Sequence, residues 1–433
     1  MNKYIATLAL TCLSAATCMS AKKAPATAPR IADLESLKTL RTELADVDSL
    51  MRNGIMTEEV SGLDYFTGYS YRTLYDWDQY FESIVQLYMG WPADYIKNGV
   101  TIFLDNQRED GFIVRSVPGN KFHDNEHVKP FLAQIALLVC DQYGDKDWIL
   151  TPEYMKRLQK YIDYWLVNMD SNGNGLSEWM SAPHTGMDNQ LERAGLWLDQ
   201  VCEGVDLNSY LVRETRAFAR LAEMAGDKQL AAEYRKKSDE LAERIRTMMW
   251  DDEDGFYYDL KVNPDGPMDK YNEIARVNMY KQKGNMIPVR SISSFAPMFC
   301  EVATPEQVDR MTTEYLFNPE EFWTPAPMAA LSKSEPWYST ILLPNDVGCS
   351  WRANVWIPTN YMVYHGLRNY GKDQLASIVA HYTQKIVKEA GNREYYNSET
   401  GEGCGLDPFW GWSLLGHFME WEDSVPYDVT KID

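Results

Sequence analysis

Asp188 stands in the run Thr185-Gly186-Met187-Asp188-Asn189, between stretches with helical patterning. A carboxyl group flanked by a glycine and an amide is how a loop on a rigid scaffold offers one ionisable group to a cleft. The plainer reading is an Asx turn that bonds its own backbone. A second acidic stretch, Glu394 through Gly403, lies far along the chain and contains Glu394, Glu399 and Glu402. Two distant loops, each with a carboxyl group near aromatic residues, match the needs of glycoside hydrolysis. One carboxylic acid protonates the leaving oxygen, and the other carboxylate takes a proton from water.

Aromatic residues surround both stretches. Tyr71, Tyr75 and Asp78 are spaced by four and three, so on a helix they share one face. Two phenols and a carboxylate suit hydroxyl recognition; a half-buried tyrosine face is the competing reading. The segment Ser350-Trp351-Arg352-Ala353-Asn354-Val355-Trp356 offers two indoles to stack on sugar rings and a guanidinium to donate paired hydrogen bonds. With 14 Trp and 27 Tyr, the chain has rings enough for a groove that meets both the apolar faces and the hydroxyls of a sugar. His184, beside the first motif, is expected to be a hydrogen-bonded loop histidine.

The elements that must position these groups are helical. Helices are expected over 33–52, through about Met89 from the Tyr71–Phe81 segment, and over 93–106, 126–142, 151–168, 206–225, 228–249, 354–370, 373–390 and 408–421. A further helix starts at Thr304-Pro305, with the same opening as Thr151-Pro152-Glu153. Tyr143-Gly144-Asp145-Lys146, Ala225-Gly226-Asp227-Lys228 and Tyr370-Gly371-Lys372-Asp373 repeat one turn design between helices. Strand patterns are scarce. The expected architecture is one all-α domain of helix hairpins closed into an α/α barrel. Its long loops at 109–125, 171–190, 318–350 and 391–405 would then surround one cleft. Asp170-Ser171-Asn172-Gly173-Asn174-Gly175 matches the opening of a calcium loop but has Ser181 at the twelfth position, where Glu is usual. It reads as a structural turn, with a structural calcium as the minority alternative.

These segments together resemble glycoside hydrolase family 63, which includes processing α-glucosidases and mannosylglycerate hydrolases. The matching pieces are Tyr75–Phe81, Gly186–Asn189, Ser350–Trp356 and Glu394–Asn397 through Trp412-Ser413. The resemblance implies an (α/α)6 barrel of the short, single-domain type and an inverting mechanism that needs no metal. It puts Asp188 on the general acid and Glu394 on the general base. It makes Tyr71, Tyr75, Trp77, Asp78, Trp351, Arg352 and Trp356 the candidate substrate contacts. Two departures bear on substrate identity. Gln190-Leu191-Glu192 stands where the family often has Ser-Pro-Arg, and Ala353-Asn354 where it often has Gly-Pro. The implied reaction is exo-acting cleavage of an α-linked glucoside or mannoside. The rivals are an exported glycan-binding protein without catalysis and an α/α-toroid polysaccharide lyase.

A formal charge of -21 argues against nucleic acid and anionic membranes, which need basic patches. Lys3, the apolar run Tyr4–Cys18 and the small residues after it have the layout of a secretory signal. The expected division is a signal over 1–21, a linker over 22–32 and a catalytic domain over 33–433, in the periplasm or outside the cell. Cys18 is the alternative, a lipidated cysteine, though Ala15-Ala16-Thr17 is a poor lipobox. Cys140, Cys202, Cys300, Cys349 and Cys404 show no metal or redox spacing. No later stretch is apolar and long enough to span a bilayer.

Overall fold

The computed structural model describes residues 29–119, 124–195, 202–263, 283–342 and 349–432. The expected signal over 1–21 and most of the expected linker lie outside them.

Six segments among the described residues close into an inner ring. They are the helices Asp76–Tyr88, Leu132–Tyr143 and Val205–Met224, the turn-and-helix Ile292–Phe295 and Ala296–Phe299, the helix Ile357–Asn369 and the 3-10 segment Trp412–His417. Each packs on the next, and the last packs on the first. Their residues are buried on nearly every side, polar ones such as Asp78, Glu82, Arg213 and Glu214 included. Outside them lie Asp94–Asp105, Pro152–Asp163, Lys228–Met248, Pro305–Arg310 and Asp373–Ala390, most of which keep an exposed polar face. The terminal helices complete the outer layer: Glu35–Glu43 meets Met419–Asp423 where Trp421 Nε1–H donates to Ser36 Oγ at 3.0 Å.

Local chemistry explains the element ends. Thr151 Oγ1 accepts the Tyr154 N–H, and Thr304 with Gln307 forms a reciprocal capping box. The three repeated turns are left-handed at Gly144, Gly226 and Gly371. Every connection from an inner to an outer segment is short. Every connection from an outer to the next inner segment is long. The long loops therefore gather at one end of the barrel, where the inner helices begin and their dipoles favour negative charge.

The structure corrects three expectations. The helix Asp76–Tyr88 starts five residues after Tyr71, because Leu74–Tyr75 pairs as a strand with Ser116–Val117. Tyr71, Tyr75 and Asp78 thus do not share a helical face. The first helix breaks at Leu44 into Glu35–Glu43 and Ala45–Met51. The last expected helix is a 3-10 segment followed by Met419–Asp423. Short strands join the long loops, including a four-stranded sheet of Met286–Ile287, Asp259–Leu260, Cys202–Glu203 and Glu178–Trp179.

Candidate active site

The Asp188 loop is held by its neighbours on both sides. Gly186 has φ +87°, and a Cβ there would lie 3.0 Å from the Trp77 ring, so both backbone and space demand glycine. Asn189 Oδ1 accepts the Trp351 N–H at 2.7 Å. Gln190 Nε2 donates to Ala330 O and Trp351 O at 3.0 and 2.7 Å. The Asp188 loop is thereby fixed to the Ser350–Trp356 segment.

That segment is also paired to the second carboxyl loop. Val355 and Tyr396 exchange backbone hydrogen bonds of 2.7 and 3.0 Å. Tyr395–Tyr396 and Gly403–Cys404 form a hairpin, so 391–405 is not a plain loop. Glu394 sits at the hairpin's base and is buried, with Leu406 N–H donating to Oε2 at 3.0 Å and Trp412 Nε1–H donating to its carbonyl at 2.9 Å. Glu399 and Glu402, the other candidates for this role, are exposed at the hairpin's far end.

One residue touches both carboxyl groups. Cys349 N–H donates to Asp188 Oδ2 at 3.3 Å, and its Sγ–H donates to Glu394 Oε1 at 3.3 Å. Asp188 and Glu394, distant in sequence, therefore lie on either side of Cys349. Burial raises Asp188 to about 6, against the lowering effects of Arg115, the Cys349 N–H and Lys129. Burial also raises Glu394, while the Leu406 N–H and the Cys349 S–H pull it down. Asp78 is pushed up to about 7, chiefly by burial and then by Asp76.

Aromatic rings cluster around the two carboxyl groups. Trp351 stacks on Trp356 at 3.8 Å, Trp356 stacks on Tyr395 at 4.7 Å, and Trp77 approaches Trp351 at 5.8 Å. Tyr69 bridges Tyr71, Tyr75 and Trp412 at 4.8, 5.4 and 5.7 Å. Tyr71 is half exposed, whereas Trp77, Trp351 and Trp356 are buried. The tyrosines thus lie together, although not on one helix.

Arg352 is placed otherwise than expected, whereas His184 is hydrogen-bonded as expected. Arg352 is buried against Glu192, with Nε 3.5 Å from the carboxylate and its guanidinium over Trp337. It braces the loops instead of facing the carboxyl pair, and Glu192, one of the departures from the family pattern, is its counter-ion. His184 is buried, stacked on Trp165, with Nε2 against His127 O at 2.8 Å; burial lowers it to about 4.

Sequence reasoning missed Arg115, Lys129 and Tyr69. Arg115 pairs with Glu126 at 3.1 Å, bonds Pro183 O and lies near enough to Asp188 and Tyr75 to act on both electrostatically. Lys129 and Asp76 form a fully buried pair at 3.1 Å below Trp77. An arginine inside the apolar run Phe112–Val117 was the available signal for the first. Lys129 and Tyr69 had none in spacing. The Asp170–Gly175 loop closes on itself, with Asp170 accepting the Asn174 and Gly175 N–H groups and the Asn172 and Asn174 amides both donating to Glu203 Oε1. Among the described residues no group of three or more His, Cys, Asp or Glu is arranged to hold a metal ion.

Comparison with known proteins gives the family and the fold. Residues 71–413 match the model of the mannosylglycerate hydrolase MGH1-like glycoside hydrolase domain. The mannosylglycerate hydrolase of Thermus thermophilus, of glycoside hydrolase family 63 and solved with glucose, superposes with a TM-score of 0.64 at 18% identity, over 88% of this chain and 100% of that one. The neutral trehalase of Saccharomyces cerevisiae superposes with a TM-score of 0.62 at 17% identity, over 86% of this chain and 76% of that one. An uncharacterized protein of Borreliella burgdorferi is 31% identical over 172 residues, which span 40% of this chain and 31% of that protein. The chain folds as an (α/α)6 toroid and belongs to the mannosylglycerate hydrolase MGH1-like glycoside hydrolase domain family.

Proposed function

We propose that the protein is an inverting, exo-acting hydrolase of an α-linked glucoside or mannoside, with Asp188 as general acid and Glu394 as general base. The observation that carries this reading is the double contact of Cys349. Two 3.3 Å contacts through one residue leave the carboxyl oxygens within about 11 Å of each other. That upper bound admits the roughly 6.5–9.5 Å of an inverting pair and equally the roughly 5–5.5 Å of a retaining one, so the choice of inversion draws on the resemblance to family 63. Asp188, protonated below about 6, gives its proton to the glycosidic oxygen as the C1–O bond breaks. Glu394 takes a proton from the water that attacks C1 from the opposite face, so the freed sugar has the inverted anomeric configuration.

The wall of rings supports recognition of one terminal sugar: Tyr71 is outermost and the indoles lie deeper. The Thermus structures hold glucose, or Tris with D-glycerate, which supports a small hexoside as substrate class. The reading includes export on the strength of Lys3 and the apolar run to Cys18, so the substrate is an external glycan. No helix among the described residues is long and apolar enough to cross a membrane. The chemistry is assigned to the two carboxyl groups alone. A structural calcium at 170–175 is the lesser reading, because among the described residues no group of three or more His, Cys, Asp or Glu is arranged to hold a metal ion. A melting temperature unchanged between EDTA and millimolar calcium would remove it.

The test is sugar release from a panel of α-glucosides and α-mannosides by wild type, Asp188→Asn and Glu394→Gln, followed by NMR. Early accumulation of the inverted anomer, lost in both variants, is expected. First release of the retained anomer would sink the inverting assignment. Binding of the panel without any hydrolysis would sink the enzyme.

A further inference from the structure

Glu394 receives two hydrogen bonds of unequal character. Leu406 N–H holds Oε2 at 3.0 Å, and the Cys349 thiol holds Oε1 at 3.3 Å. The neighbouring cation does not contribute: Arg393 turns to Asp407 at 3.2 Å and to Leu406 O at 3.3 Å. The other titratable groups facing Glu394 are Tyr69 and Tyr71 from the segment before the inner helix and Tyr395 from the hairpin. Asp78 and Asp188 reach the same point through Cys349, whose thiol feels all three carboxylates and is held protonated by burial and by them.

We infer that Cys349 is a positioning residue for the base: its S–H fixes the Glu394 carboxylate while leaving it basic, because a thiol is a weak donor. The inference rests on the assignment of Glu394 as general base. A carboxylate bound by a strong or charged donor is stabilised and becomes a poor proton acceptor. A carboxylate with no donor on Oε1 is free to rotate and, in a buried site, protonates more readily. The thiol lies between these limits. Its backbone N–H simultaneously holds Asp188, so the same residue registers acid against base. Cys349 itself is a free thiol.

The experiment uses the full chain as wild type, Cys349→Ala, Cys349→Ser and Glu394→Gln. It reads kcat/KM against pH and the infrared S–H stretching band, assigned by its loss in Cys349→Ala. Loss of the donor is expected to move the acidic limb of Cys349→Ala to higher pH, so that kcat/KM falls up to about tenfold more on that limb than at the optimum. Cys349→Ser, which keeps a donor, is expected to return the limb toward wild type. The wild-type S–H band should shift as Glu394 titrates and lose that response in Glu394→Gln. An S–H band indifferent to Glu394→Gln, or an acidic limb unmoved in Cys349→Ala, overturns the role of Cys349 alone when Glu394→Gln is inactive. Full activity of Glu394→Gln overturns the base assignment and the role of Cys349 with it.

Discussion

Burial and charge compete at Asp188, and burial wins. A carboxyl near 6 is protonated where a general acid must be, so kcat/KM is expected to fall as pH rises through about 6, measured on an unactivated glycoside. Asp188→Asn removes the proton donor and should lower kcat by about 10²–10⁴-fold on such a substrate, with KM little changed. Less should be lost on aryl glycosides whose leaving group needs no proton. The same shift has a stability consequence. A carboxyl raised in the folded state stabilises the fold while both states are protonated, and that contribution is lost as pH rises from the ordinary carboxylate range through about 6. Asp188→Asn should therefore be more stable than wild type at pH 7 by about 1–2 kcal/mol, read by urea unfolding, and this gap should close at pH 4.

At the scale of elements, the site depends on two loops registered by a third. Ser350–Trp356 bonds the acid loop through Trp351 and the base hairpin through Val355. Glycines make the closest approaches. A Cβ on Gly186 would meet Trp77 at 3.0 Å from a left-handed backbone, and one on Gly405 would collide with Glu394 Oε2. Gly186→Ala should cost about 1–3 kcal/mol of stability and displace Asp188, with a larger loss in kcat than in substrate affinity. Gly405→Ala should push Glu394 out of register and lower kcat while the binding of a competitive sugar is retained. Unchanged kcat in both variants would mean that the loops tolerate far more movement than the close packing implies.

Across the whole molecule, the end of the barrel opposite the site carries its own buried charge network. His365 lies between Glu422 at 3.0 Å and Asp428 at 3.4 Å, and Tyr361 also reaches Glu422. Burial alone would lower the His365 pKa, but Asp428 and Glu422 outweigh it and push it up to about 9. Asp428 is held well below its usual range, with burial outweighed by His365 and Thr430. A raised histidine contributes stability that is complete below its ordinary pKa and fades as pH rises through about 9. The lowered Asp428 contributes stability that is lost as pH falls below the usual carboxylate range. His365→Gln should cost about 3–5 kcal/mol near pH 6, where the buried pair is otherwise complete, and this difference should shrink above pH 9. Urea titrations of both proteins from pH 6 to pH 10 would measure it.

How much of this was legible in the sequence follows from the range of the forces involved. Helix pairs, their Gly turns and the capped starts at Thr151 and Thr304 depend on neighbours a few residues away, so local pattern fixed them. Asp188 and Glu394 were named as acid and base largely by resemblance, since spacing left Glu399 and Glu402 open. Burial of Glu394 and exposure of its rivals depend on where the hairpin docks, which is a tertiary matter. Tyr71 and Tyr75 were grouped with Asp78 on a shared helical face that does not exist: a strand pairing to Ser116–Val117, set by a distant loop, replaced the expected helix turn. Arg352 looked like a sugar contact until Glu192 and Trp337 took its guanidinium. Cys349 carried no signal at all, because a lone cysteine gains meaning only when folding brings two remote carboxyl groups within reach of its amide and its thiol. The sequence by itself determined the helical toroid and the stock of carboxyl groups and rings. The tertiary structure alone decided which of them come together, because long-range loop packing sets burial, charge and distance.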